Sequence, residues 1–358
     1  MLMPKYWLQS DAIMNTNSYI VATDKVIPAW LQPVAVLDLC AARGINPHAL
    51  LQNTALFASD LPFTGRYLSL RQFQQLLLNA NNLWPGSDFP FQLGHQLLQH
   101  GLGPVVTLVD SYTALTPLLS LLCNYSAIIS PALTMRLVES TENKLLLMIS
   151  PSAFERVDNI ALVAAMTSLT SMITRFSGVG ELRYFFSARE GAGRENFTAH
   201  LQGICCFSAP FDGVRIEIVN KESAAECQSL RGRVAIAECD ALLSAPPYLS
   251  QRLRELFARQ HGLQSDLAGC SEALGVSQAT LKRRLREHGL SFQQQLDSFH
   301  LELALIELLL KQATVDDAAA RLHFHDSSNF RRAFKRWTGL SPSLMKANFH
   351  DLMLPVLK

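Results

Sequence analysis

No Cys-x-x-Cys pair occurs in the sequence, and the cysteines are odd in number: Cys40, Cys123, Cys205, Cys206, Cys227, Cys239 and Cys270. A disulfide framework and a structural zinc site are both disfavoured, which fits a reducing compartment. Residues 1–10 lack a basic start followed by an apolar run, so no secretory signal is expected, and a cytoplasmic location is. The longest uncharged stretch, Ser111 to Met135, is broken by Pro117, Asn124 and Pro131. A buried helix, a break and a strand are expected there rather than a membrane span. The catalytic signatures Gly-x-Ser-x-Gly, P-loop and His-Glu-x-x-His are missing. Residues 191–196, Gly-Ala-Gly-Arg-Glu-Asn, begin like a dinucleotide fingerprint but end on Asn. His95 and His100 are five apart, a poor spacing for two ligands on one helix, and His323 and His325 share a turn. No enzyme activity, metal or cofactor is therefore expected.

Nor is there an excess of one charge: 31 Lys and Arg face 30 Asp and Glu over 358 residues. The distribution is uneven, however. Ser250 to Lys346 carries 14 basic and 10 acidic residues, a net of +4, and the remainder carries −3. Such asymmetry points to a polyanionic partner for one domain alone. The two regions meet at Leu242-Leu243-Ser244-Ala245-Pro246-Pro247-Tyr248, where two prolines suit a linker. The expected domains are residues 1–240, a linker at 241–250, a basic domain at 251–346 and a tail at 347–358.

The basic region contains one design twice. Asp266 to Leu274 reads as a short helix, Gly275 as a turn residue tolerant of positive φ, Ser277 as an N-cap and Gln278 to Glu287 as a second helix. Val276, Leu281 and Leu285 supply an apolar side, and Lys282, Arg283, Arg284 and Arg286 crowd the rest. In the second unit Thr314 caps a helix to Leu322, His323-Phe324-His325 turns, and Asp326 or Ser327 caps the next helix. Its Phe330, Phe334 and Trp337 form one apolar stripe, with Arg331, Arg332, Lys335 and Arg336 off it. Between the units, Leu296, Phe299, Leu303, Ile306 and Leu310 mark a helix from Ser291 to Lys311. Its length of roughly 30 Å approaches the ~34 Å turn of B-DNA. A short helix, a turn and a basic helix is the layout that seats a recognition helix in a major groove.

The runs Leu274-Gly275-Val276-Ser277 to Leu281-Lys282-Arg283-Arg284-Leu285, and Phe330-Arg331-Arg332-Ala333-Phe334-Lys335-Arg336-Trp337-Thr338-Gly339-Leu340-Ser341-Pro342, resemble the AraC/XylS family of bacterial transcription regulators. The resemblance covers about 95 residues. It implies an all-α domain of two helix-turn-helix units that binds promoter DNA and works with RNA polymerase. Ala279, Lys282 and Arg283 would meet base edges, as would Ser327, Ser328, Arg331 and Arg332. Arg284, Arg286, Lys335 and Arg336 would meet phosphates, and Ser277, Gln278 and Thr280 open the first reading helix and join the DNA-facing set. An ion pair of Arg286 with Glu287 or Asp297 is an alternative use of that side chain. One departure stands out: the family commonly has Gly where this chain has His323, at a position that can require positive φ.

In the N-terminal part, helices are expected at Val34–Arg43, after Pro47, at Tyr67–Leu83 and at Ile160–Phe176. Strands are expected at Lys144–Ile149, Leu182–Ser187 and Val214–Val219, giving a mixed α/β domain. Ala-Ala-Arg-Gly-Ile at 41–45, Leu-Gly-His at 93–95, Gly-Leu-Gly at 101–103 and the strands flanking Phe197 to Phe211 resemble the ornithine-utilisation subgroup of the same family. This implies a small-molecule effector domain distinct from the cupin-type sugar sensors, so arabinose is not the expected effector. Tyr112, Tyr125 and Arg136 are candidate contacts for a carboxylate or acyl effector, against the plainer reading of core tyrosines and a surface arginine. A homodimer is a possible state. A regulator whose N-terminal domain only dimerises or binds a protein remains the alternative.

Overall fold

The structure, a computed structural model, describes residues 18–57, 59, 65–140, 143–151, 159–189, 193–219, 229–243, 246–259 and 265–353. Cys227 and residues 191–192 of the glycine-rich run lie outside them. The chain forms two compact units, one of Ile20–Pro246 and one that takes in Tyr19 and the residues from Pro247 onward.

The first unit opens with β1 (Lys25–Pro28), α1 (Gln32–Ala41) and α2 (Pro47–Leu50). The Gln32 amide donates to the carbonyls of Ile128 and Ile129 at 2.6 and 2.8 Å, tying α1 to a segment almost a hundred residues away. The helix expected from Tyr67 begins three residues later. Tyr67–Ser69 is a strand, β2, paired antiparallel with β1, and α3 (Leu70–Leu83) follows. A capping box explains the switch: the Ser69 hydroxyl accepts from the Gln72 amide, and the Gln72 side chain accepts from the Ser69 amide. Leu70, Phe73, Leu77 and Ala80 do share the buried face.

Next come α4 (Phe89–Gln96), widened to a π-turn at Leu97–Gly101, then α5 (Pro104–Ser111), α6 (Leu115–Asn124) and α7 (Ser126–Ile129). β3 (Leu133–Ser140) and β4 (Lys144–Pro151) form a hairpin, so the uncharged stretch is helix, break and strand. α8 (Asn159–Ile173), β5 (Val179–Phe185), α9 (Arg194–Leu201), β6 (Ile204–Cys206), β7 (Asp212–Ile218) and α10 (Leu230–Leu242) complete the unit. The main sheet runs β3-β4-β7-β5-β6, antiparallel except for β5 with β6.

Helix α8 is buried on nearly every side, as its all-round apolar sequence demands. The hydroxyls of Thr167 and Thr170 turn back onto carbonyls four residues earlier, so they cost little inside the core. α4 lies directly on α8: a Cβ at Gly94 would sit 2.5 Å from the Thr167 Cβ, and the Gly94 carbonyl accepts from Ser168 at 2.7 Å. Glycine is required at 94 by that approach.

The second unit is helical: α11 (Leu249–Arg259), α12 (Leu267–Ala273), α13 (Gln278–Glu287), α14 (Phe292–Leu305) widened to a π-turn over Ile306–Leu310, α15 (Val315–Arg321), α16 (Ser327–Thr338) and α17 (Pro342–Met353). The helices intrude on the expected linker and tail. α10 continues to Leu242, Tyr248, Leu249 and Ser250 are buried, and α17 runs through residue 347. No helix of the described residues is long and apolar enough to cross a membrane.

Candidate nucleic-acid interface

Each helix-turn-helix unit is set by local chemistry. Asp266 caps α12, accepting from the Gly269 amide at 2.7 Å. Gly275 then takes φ +66°, and the Val276 amide returns to the Ser271 carbonyl at 3.0 Å. Ser277 caps α13 by accepting from the Thr280 amide at 3.1 Å, and its hydroxyl lies 2.9 Å from that of Thr280. Leu281 and Leu285 are buried, and α13 is thereby pinned by one side.

The second unit repeats the plan. Thr314 caps α15 through the Asp317 amide at 3.1 Å, and Asp326 caps α16 through the Asn329 amide at 2.6 Å. Of the two residues considered for that cap, Asp326 fills it and Ser327 is the first helical residue. His323 occupies the left-handed region at φ +59°, the conformation that Gly275 has in the first turn. The Phe324 amide bonds the Ala319 carbonyl at 2.9 Å, matching Val276 to Ser271. Phe330 and Phe334 are fully buried, and Phe324, Trp337 and His300 close an aromatic cluster around them.

The exposed faces then coincide position for position. On α13, Ala279, Lys282, Arg283 and Arg286 are exposed at i, i+3, i+4 and i+7. On α16, Ser328, Arg331, Arg332 and Lys335 have the same spacing and exposure. Gln278 is exposed, whereas Thr280 and Ser327 are half-buried. Several basic groups already have partners. Arg283 bonds Glu287 at 2.6 Å, Arg332 bonds Asn329, Arg331 lies 3.7 Å from Asp316, and Arg336 bonds Asp297 at 2.9 Å. Of the two acids considered for Arg286, Glu287 bonds Arg283 and Asp297 bonds Arg336. Arg284 is half-buried, hydrogen-bonded to the Tyr19 hydroxyl, with its guanidinium 5.1 Å from the Tyr19 ring centre.

The connecting helix is buried more widely than a single stripe. Phe299 and Ile306 are buried as expected and Leu296, Leu303 and Leu310 half-buried, but Ala304, Leu305, Leu308 and Leu309 are buried too. So is Glu302, which pairs with Arg254 of α11. A second buried acid, Glu307, holds Lys311 and Arg321, each at 2.6 Å, and so fastens α15 to the connecting helix. Sequence reading missed these acids, since each lies within an apolar run.

The candidate effector contacts are placed differently from one another. Tyr125 is buried and its hydroxyl donates to Asp240 at 2.9 Å, and burial first and then Asp240 push its pKa up. Tyr112 is half-buried at the end of α5 and lies close enough to Tyr125 to influence its titration. Arg136, half-buried on β3, reaches Ser150 at 3.3 Å across the hairpin. Two groupings had no sequence signal. His95 stands between Ser171 and His200, 3.2 Å from each, with Phe91 stacked on His200, and burial and then His200 lower its pKa. Arg183 and Arg215, both buried, face each other across β5 and β7, with Glu181 2.6 Å from Arg183. Their sequence separations hide both. Cys205 and Cys206 are half-buried in β6, with the Cys205 thiol pushed up to about 11 by burial. Among the described residues no group of three or more His, Cys, Asp or Glu could hold a metal ion.

Comparison with known proteins agrees with this layout. Residues 270–348 match the helix-turn-helix domain model, and residues 44–217 match the arabinose-binding domain of AraC transcription regulator, N-terminal. The ornithine utilization regulator of Pseudomonas aeruginosa is 27% identical over 334 residues, 88% of this chain and 96% of that protein. The HTH-type transcriptional regulator VqsM of the same organism is 32% identical over 84 residues, 24% of this chain and 26% of VqsM. The crystal structure of transcriptional regulator CdpR from Pseudomonas aeruginosa aligns with 88% of this chain and 98% of its own, at 18% identity and a TM-score of 0.37. Two capped helix-turn-helix units behind an arabinose-binding-type N-terminal domain make the chain a transcriptional regulator with an AraC-type helix-turn-helix.

Proposed function

We propose that this regulator reads DNA with α13 and α16 together, under the control of a small molecule bound by the N-terminal domain. The observation that carries the reading is the matched exposed set, Ala279, Lys282, Arg283 and Arg286 on one helix and Ser328, Arg331, Arg332 and Lys335 on the other. Arginine can bond guanine through two donors, and serine can donate or accept at several bases. Ala279, Lys282, Arg283, Ser328, Arg331 and Arg332 are the base-edge set in this reading. Arg286 and Lys335 take phosphates, and Arg284 and Arg336 do so on leaving Tyr19 and Asp297. Ser277, Asp326 and Thr280 hold the helix starts, and Ser327 and Gln278 flank the reading face.

The effector is assigned by class alone. The matched N-terminal model names arabinose and the 27% identical relative names ornithine, so neither name is carried over to this chain. A carboxylate or acyl compound near Tyr112, Tyr125 and Arg136 is the reading retained, with residues 1–240 as the sensing and dimerising part. The active species is a homodimer that meets RNA polymerase at the promoter. Control requires the effector to favour one arrangement over another. Footprinting of the purified protein upstream of its own gene, with and without metabolite pools, tests DNA reading and control together. A thermal-shift screen separates the two roles of the N-terminal domain. Stabilisation by a metabolite supports sensing, and no response across amino-acid, sugar and fatty-acid panels supports a domain that only dimerises or binds a protein.

A further inference from the structure

The two reading helices hold their central arginines in opposite directions. Aligned from their caps, Ser277 corresponds to Asp326, Thr280 to Asn329, Arg283 to Arg332 and Glu287 to Arg336. On α13 the Arg283 guanidinium runs toward the helix end and bonds Glu287 at 2.6 Å, so a carboxylate of the same helix opposes its charge. On α16 a second arginine, Arg336, stands where α13 has that acid, and it bonds Asp297 at 2.9 Å. A like charge four residues on repels. Arg332 turns the other way, toward the helix start, and its guanidinium donates to the Asn329 side-chain oxygen. That is also the direction in which long helical side chains lean.

Asn329 is itself fixed. Its backbone amide and its side-chain amide both donate to Asp326, at 2.6 and 2.8 Å, and take one carboxylate oxygen each. The second bond decides which way the side chain faces. Its NH2 meets the carboxylate, and its oxygen is left for Arg332. The reversed amide would set oxygen against carboxylate at one end and NH2 against guanidinium at the other. The bond from the Asn329 backbone amide lowers the Asp326 pKa, which keeps the anchor ionised. A guanidinium near a helix start meets the positive end of the helix dipole, and the Asp326 carboxylate offsets it.

We propose that Asn329, anchored by Asp326, is a positioning residue that aims Arg332 at a base edge. This deepens the DNA-reading role proposed above and rests on it. Recognition helices meet bases through their N-terminal residues, and the lean toward Asn329 carries the Arg332 guanidinium to that end. A side chain held in one orientation has less rotamer freedom to lose when it bonds guanine through two donors. The amide that holds it is neutral, so Arg332 meets DNA with its charge unopposed by this partner. Arg283 must first leave the Glu287 carboxylate. Discrimination in the half of the site that α16 reads therefore depends on Asn329 through Arg332.

Fluorescence anisotropy of the full-length protein tests this on the footprinted site, on single base-pair changes across it and on unrelated duplex. Asn329→Ala should weaken specific binding roughly threefold to tenfold, the worth of one hydrogen bond. It should relax preference at the same base pairs as Arg332→Ala does. Non-specific affinity and its salt dependence should stay as in the wild type, because no phosphate-facing charge has changed. Added to Arg332→Ala, Asn329→Ala should cost nothing further. Asn329→Leu, of the same shape without the amide, should match Asn329→Ala, and circular dichroism checks that each variant is folded. Specific binding that survives both Asn329 variants but falls in Arg332→Ala would overturn the proposal and leave the reading role of α16 intact. An Asn329 loss that persists in the Arg332→Ala chain would mean that Asn329 acts by another route, and would also overturn it. Specific binding indifferent to Arg332→Ala would overturn both.

Discussion

Acidification should loosen the C-terminal unit through one buried histidine. His300 on α14 is 3% exposed and packed among the rings of Phe299, Phe324 and Trp337, with centres 6.0, 6.3 and 6.0 Å away. Burial lowers its pKa to about 4, with Asp297 opposing weakly. An unfolded chain titrates the same group near 6.5. Between pH 6.5 and about 4 the unfolded state therefore binds a proton that the folded state refuses, and stability falls as pH falls. Above pH 6.5 both states are neutral and the effect vanishes. From those two values the loss is about 2 kcal/mol by pH 5 and on the order of 3 kcal/mol once the folded group titrates. Urea titrations at pH 7 and pH 5, followed by tryptophan fluorescence, measure it in the wild type and in His300→Gln. The wild type should lose about 2 kcal/mol more than the variant over that interval. Equal losses in the two proteins would show that His300 is not the source of the acid sensitivity.

Three further outcomes follow from the same unit. Phe334 is fully buried under α16, so Phe334→Ala should cost about 3–5 kcal/mol in urea unfolding. Glu302→Gln should cost about 3–5 kcal/mol because it takes the Glu302 carboxylate away from the buried Arg254, and Arg254→Met in the same chain should recover much of that loss. Tyr19→Ala releases Arg284, so non-specific DNA affinity at low salt should rise and its salt dependence should steepen by about one phosphate's worth, read by fluorescence anisotropy.

The C-terminal unit was legible because its signals are local. A cap, a turn residue and an apolar step of three or four all fall within a dozen residues, and Ser277, Gly275, Thr314, Asp326 and the Phe330–Phe334 stripe sit where those rules put them. Even the departure at His323 was readable, since the position needed positive φ and has it. The connecting helix was harder. Glu302 and Glu307 look like solvent-facing charges until Arg254, Lys311 and Arg321 are brought to them by the fold. In the N-terminal unit the apolar helices and three strands were visible, but Tyr67–Ser69 was absorbed into the helix that it precedes. Its strand character comes from pairing with Lys25–Pro28, about forty residues away. The His95–His200 contact and the Arg183–Arg215 pair depend on register and packing between distant segments, which no spacing rule encodes.

If two helices of one chain read DNA together, equilibrium anisotropy on the footprinted site will show both. Arg283→Ala and Arg332→Ala should each weaken specific binding by about 1–3 kcal/mol. Each should relax sequence preference in a different stretch of the site, about one helical turn apart, and the double variant should show close to the sum of the two losses. Undiminished affinity and preference in either single variant would mean that its helix does not read the site.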